Sequence, residues 1–108
     1  MDRYRFNVQG VNAAINYTTP EIGAERTLKA LYAHSVVASG TSENLVLTLI
    51  SHLGSDYDTV LISQDMDTVT DYAVLDGSLN APLHPADKLK VTYTNTDSET
   101  ISVLLVLE

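Results

Sequence analysis

Residues 87–108 restrict the fold of this chain more than any other stretch. Leu89, Val91 and Tyr93 alternate with Lys88, Lys90, Thr92 and Thr94, the period-two pattern of a half-buried strand. The polar run Asn95-Thr96-Asp97-Ser98-Glu99-Thr100 suits a turn. The chain continues through Ile101, Val103, Leu105 and Leu107, with Ser102, Leu104, Val106 and Glu108 on the other side. This spacing predicts a β-hairpin. Its second strand is wholly apolar on one face and half apolar on the other. Such a strand is central in a sheet, or covered on its second face.

The same signature recurs upstream. Leu45, Leu47 and Leu49 face one way, and Val46, Thr48 and Ile50 the other. Further strands are predicted over residues 4–8 (closing at Gly10), 11–18, 57–63 and 68–75. Polar turns at 38–44, 51–55 and 64–67 separate strands, and 80–86 is an irregular connection with Pro85 placed for a turn. Short strands at this spacing predict an all-β fold, an antiparallel β-sandwich of jelly-roll-like type in a single domain. Residues 1–25 would form an N-terminal arm or edge strands, and residues 26–108 the sandwich.

A two-layer sandwich buries one face of each sheet. Val46, Ile50, Leu104 and Val106 therefore need a second cover, and a partner would supply it. They are the candidate interface residues.

Residues 20–33 admit two readings. Thr19-Pro20-Glu21 is a helix start signal, and Leu28, Leu31 and Tyr32 would then share a face. Gly23 opposes a helix. From Arg26 an alternation also fits, with Leu28, Ala30, Tyr32 and His34 on one face and Thr27, Lys29, Leu31 and Ala33 on the other. Val36-Val37 extends it, and the strand is the favoured reading.

Composition narrows the function classes. The chain has 108 residues, 44% of them hydrophobic, enough for one core. It has no cysteine, hence neither disulfides nor thiolate metal sites. It carries no apolar run of spanning length and no visible signal peptide, so the expectation is folding in a cytoplasm without membrane insertion. The net charge is −8, and no Lys or Arg lies between Lys29 and Lys88. Such a surface repels phosphate backbones and disfavours nucleic acid. It suits solubility or docking to a basic partner.

No constellation of residues announces catalysis. Asp65, Asp67 and Asp71 are dense enough around a turn to suggest Ca²⁺, but they break the EF-hand spacing. Asp56 and Asp58 would join them only if the two loops met. His34, His52 and His84 are far apart in sequence with no ligand-pair spacing. There is no nucleophile elbow, P-loop or dinucleotide fingerprint. The expectation is no enzyme activity, no cofactor and no resident metal. The sequon Asn16-Tyr17-Thr18 has no meaning without a secretory route. Six tyrosines (Tyr4, Tyr17, Tyr32, Tyr57, Tyr72 and Tyr93) stand in for the aromatic platforms of sugar-binding sandwiches. A carbohydrate-binding module for a host surface glycan is accordingly the alternative reading, and grouping of the tyrosines on one face would favour it.

The runs Ser42-Glu43-Asn44-Leu45, Asp56-Tyr57-Asp58-Thr59-Val60-Leu61-Ile62-Ser63-Gln64-Asp65-Met66 and Val69-Thr70-Asp71 resemble small β-sandwich structural proteins of tailed bacteriophage virions. The closing Pro85-Ala86-Asp87-Lys88-Leu89 and Tyr93-Thr94-Asn95-Thr96-Asp97 segments are similar too. The resemblance spans residue 26 to the end and implies a non-enzymatic head decoration, or a head or tail completion protein. It implies partners in the form of a homo-oligomer and other virion proteins, and residence in the virion after synthesis in the host cytoplasm. No individual binding residue is carried over.

Overall fold

The computed structural model describes residues 4–11, 13–74 and 80–108. Its strands are β1 (Tyr4–Val11), β2 (Ile15–Thr18), β3 (Arg26–Ser35), β4 (Asn44–Ile50), β5 (Thr59–Asp65), β6 (Asp71–Val74), β7 (Ala81–Leu83), β8 (Lys88–Tyr93) and β9 (Thr100–Leu107). A single 3₁₀ turn, Ser55–Tyr57, precedes β5. The strands form two antiparallel sheets. One has the order β1-β9-β3-β6, with β7 also pairing β3, and the other the order β2-β8-β4-β5. With β6 and β7 sharing one position, this is the strand order of a jelly roll.

The core lies between the sheets. Leu28, Leu31, Ala33, Ile101, Val103, Leu105 and Leu107 enter it from the first sheet, and Ile15, Leu45, Leu47, Ile62, Leu89, Val91 and Tyr93 from the second. Each large aliphatic side chain buried this way contributes about 1.5–3 kcal/mol of transfer free energy. The doubly apolar strands are central, as their sequences require: β9 sits between β1 and β3, and β4 between β8 and β5.

The predicted closing hairpin does not form. β8 pairs with β2 and β4, whereas β9 pairs with β1 and β3 in the opposite sheet. Residues 94–99 therefore arch over the end of the core. Asn95 and Ser98 take left-handed conformations (φ 57° and 54°). The Asn95 side chain accepts from Glu99 N and donates to the carbonyls of Ala13 and Glu99. A hairpin and an inter-sheet arch show the same alternation in sequence, because both strands turn their apolar side to one core.

The ambiguous segment resolves into strand β3, beginning at Arg26. Gly23 holds φ +83°, and the Ile22 and Gly23 amides donate to Asp87 O and Pro85 O, so no helix runs through them. The expected faces of β3 are also wrong in part. Its register against β9 slips between Leu28 and Ala30, which places a bulge at Lys29. One extra residue inverts the alternation, so Leu28 points inward together with Leu31 and Ala33 while Tyr32 and His34 are exposed.

Other boundaries move. β1 runs through Gly10 to Val11, and β2 starts at Ile15. Both pair at sheet edges rather than standing off as an arm. Tyr57 belongs to the 3₁₀ turn, not to a strand. A slip between Leu47 and Thr48 bulges β5 at Leu61, which leaves Ile62 buried while Val60 is 58% exposed. Within 68–74 only Asp71–Val74 is strand, because Thr68 takes φ 62°, and Leu75 lies outside the described residues. The 80–86 connection contains the short strand β7. Pro85 does sit in a turn, closed by Asp87 N donating to His84 O at 2.9 Å.

Candidate functional site

The most organised polar cluster lies at the end of the sandwich where β4 leaves for β5 and β7 leaves for β8. It is built on Asp87, which is 5% exposed at the mouth of β8. Asp87 Oδ1 accepts from His52 N at 2.9 Å and from His52 Nδ1 at 2.7 Å, and Oδ2 accepts from His84 N at 2.9 Å. Its own carbonyl receives the Ile22 amide. The carboxylate thus ties the β4–β5 loop to the β7–β8 turn, and the Asp87 backbone adds the segment before β3. Burial pushes the Asp87 carboxyl up, but the amides of His52 and His84 and the His52 ring outweigh it and hold the group below the ordinary carboxylate range.

The two imidazoles stack, with centroids 3.8 Å apart and planes at 14°. The hydrogen bonds set their tautomers. His52 donates from Nδ1 to Asp87, leaving Nε2 as the open position. His84 accepts the Ala86 amide at Nδ1 (3.0 Å), so its proton sits on Nε2. Together they line an open groove of about 840 Å³ with Glu25, Arg26, Thr27, Pro82, Leu83, Asp87 and Glu108. The groove presents an aromatic stack, an apolar wall and three carboxylates against one guanidinium.

Neither His52 nor His84 stands out in the sequence as a site residue. Thirty-two positions separate them, and only the jelly-roll connections bring them together. The one local signal is Pro85 followed by Asp87, a turn whose acid caps it.

The candidate interface residues divide between the two outer faces. Leu104 and Val106 lie outside the first sheet, where Leu104 is flanked by Asn7 and Tyr32 and Val106 by Arg5 and Ala30. Leu104 is half-buried, whereas Val106 is only 5% exposed. Val46 and Ile50 are half-buried outside the second sheet. The two pairs do not form one patch.

A smaller groove of about 430 Å³ beside Leu104 is lined by residues that include Asn7, Tyr32, His34, Asp71, Ala73 and Ser102. Ser102, His34 and Asp71 stand in one row across β9, β3 and β6. His34 Nδ1 meets Asp71 Oδ1 at 2.8 Å at the surface, and Ser102 stands beside them in the row.

The turn acids serve the loops. Asp65 accepts from Ser42 Oγ and Asp67 N, and Asp58 from Ser51 N. Asp71 is engaged by His34, and among the described residues no group of three ligating side chains is placed to hold a metal ion. Asp97, outside the sequence candidates, accepts from Ser39 Oγ, Gly40 N and Thr41 Oγ1, which pins the β3–β4 loop and holds its carboxyl below the ordinary range. Glu43 bonds the Thr96 amide and hydroxyl across the same end.

The Tyr4 side chain lies outside what the structure describes, and the other five tyrosines do not gather. Tyr17 lies on edge strand β2, Tyr57 beside the opposite edge β5, and Tyr32 outside the other sheet. Tyr93 is buried and Tyr72 packs against the core.

The fold is therefore a jelly-roll β-sandwich with a histidine-lined groove at one end. No protein-family model matches this chain, and no curated protein matches it. In shape it is similar to the Yersinia pseudotuberculosis-derived mitogen, at TM-score 0.40 and 15% identity over 97% of this chain and 82% of that one. It is also similar to a chain of infectious bursal disease virus Gx strain, at TM-score 0.31 and 12% identity over 99% of this chain and 30% of that one.

Proposed function

We propose that this chain is a non-enzymatic structural component of a phage virion, assembling with itself and with capsid or tail proteins in a decoration or head/tail completion role. It would be made in the host cytoplasm and reside in the particle. The observation that carries the proposal is apolar surface left outside a complete core. Leu53, Tyr57 and Val60 are 64%, 61% and 58% exposed along one loop and the strand it feeds, and Val36 and Val37 are exposed at the other end. Exposed apolar side chains this close together along the chain suit a contact surface. The jelly-roll order fits, being an architecture used in capsids, although fold alone assigns no function. The virion resemblance of residues 26–108 specifies the setting. The exposed tyrosines Tyr17, Tyr32 and Tyr57 are scattered over separate edges and faces, which does not favour the alternative, a glycan-binding module.

The test compares Tyr57→Asp and Leu104→Asp with the parent chain by sedimentation velocity, with circular dichroism as the check on folding. Tyr57 is 61% exposed and Leu104 only half-buried, so both variants are expected to fold. Loss of self-association in at least one folded variant supports the proposal. Parent-like association in both counts against these surfaces as the contacts.

A further inference from the structure

We infer that the turn from His84 to Asp87 is a latch that acid opens, with the His84 imidazole as the group that releases it. The geometry is that of an Asx turn with a histidine in the Asx position. In such a turn the side-chain oxygen of Asn or Asp accepts the amide two residues on. Here His84 Nδ1 takes that place and accepts the Ala86 amide at 3.0 Å. His Nδ1 and Asn Oδ1 are both attached to Cγ, so the two side chains reach the same amide. They differ in one respect. A second proton on the imidazole occupies Nδ1, and the ring then has two donors and no acceptor. An amide N–H cannot bond to another N–H, so the charged ring must leave the Ala86 amide.

His52 differs. Its Nδ1 already donates to Asp87 at 2.7 Å, and a proton added at Nε2 keeps that bond. Charging both rings would stack two cations with centroids 3.8 Å apart, a second reason for His84 to swing away. Both residues reach solvent, so protons have access to them. Among the described residues, the charged groups on the groove wall beside the rings are Glu25, Arg26, Asp87 and Glu108. Asp87 is held below the ordinary carboxylate range and stays ionised while imidazoles titrate. The turn also holds the segment before β3. Gly23 N donates to Pro85 O at 2.7 Å, and Ile22 N to Asp87 O at 2.9 Å. Pro85 lies between His84 and Ala86, so opening there loosens the hold on Gly23.

The test is NMR on the full chain from about pH 8 to about pH 5, the range that spans imidazole titration. Long-range proton–nitrogen spectra identify the His84 tautomer, and hydrogen exchange gives the protection of the Ala86 and Gly23 amides. At the alkaline end His84 should carry its proton on Nε2. On acidification the Ala86 protection factor should fall about fivefold, the worth of one net hydrogen bond, along the His84 titration. Gly23 should follow it. His84→Asn keeps an acceptor for Ala86 and removes the titration, so its Ala86 amide should stay protected across the range. A proton on His84 Nδ1 at the alkaline end overturns the inference, as does an Ala86 amide indifferent to pH. A fall of the same size in His84→Asn assigns the response to the carboxylates and overturns it too. A Gly23 amide that keeps full protection while Ala86 opens reduces the latch to one broken side-chain bond and counts against it.

Discussion

Replacing Asp87 with alanine tests whether one carboxylate holds the groove end of the sandwich together. The substitution deletes the acceptor of two amides, His52 N and His84 N, and of the His52 ring nitrogen, all at 2.7–2.9 Å. A hydrogen bond to a charged group contributes about 1.5–3 kcal/mol net, and bonds sharing one acceptor are not additive. The expected loss at neutral pH is about 2–3 kcal/mol, one to two such bonds, because His52 is partly open to water that can replace the lost acceptor. That is a large part of the stability of a domain this size. The Asp87 carboxyl is held below its unfolded value, so its contribution is complete above the ordinary carboxylate pKa and disappears as pH falls through the folded one. Urea unfolding of both chains should therefore show a gap that is widest near neutral pH and narrows below about pH 4. Asp87→Asn keeps an acceptor for His52 but turns an amide NH₂ toward the His84 N–H, and should fall between the two. A loss under about 1 kcal/mol for the alanine variant, or a gap that stays constant on acidification, refutes the reasoning.

Asp97→Ala should free the loop it pins without disturbing the sheets. The Gly40 amide, bonded to Asp97 Oδ2 at 2.8 Å, should exchange with solvent faster while amides of β9 keep their protection. The same loop should loosen in the parent chain as acid protonates Asp97, whose carboxyl is held low by the Ser39 and Thr41 hydroxyls and the Gly40 amide. On β9, Val106→Asp should fail to fold, or melt far below the parent, because a carboxylate at a position 5% exposed is desolvated. Leu104→Asp, two residues away and half-buried on the same face, should keep its far-ultraviolet circular dichroism. Equal melting temperatures for the two variants would contradict the assigned burial.

The sandwich was legible because its apolar alternation is strong. Leu45, Leu47 and Leu49 against Val46, Thr48 and Ile50 identify a central strand without any structure. Alternation has a phase, however, and a single extra residue resets it. The bulge at Lys29 leaves no mark in composition, so alternation assigns the faces of β3 incorrectly around it. Nor does alternation name the pairing partner, which is why the arch from β8 to β9 reads as a hairpin. The groove was illegible for a related reason. His52 and Asp87 are 35 positions apart and meet only because β4 and β8 are neighbours in one sheet, a fact of topology rather than of spacing. The candidate interface residues were chosen by face alone. Face does not reveal that Val106 is buried while Leu104, two residues before it, stays half open.

The central claim, that this jelly roll is an assembling structural protein, is tested most directly by the solution mass of the purified chain. Multi-angle light scattering over a wide concentration range is the measurement. Self-assembly would give a defined oligomer whose mass is an integer multiple of the chain mass and which persists on dilution. A monomer at every concentration would contradict self-assembly, and would mean that the apolar surface at Leu53, Tyr57 and Val60 has some other role.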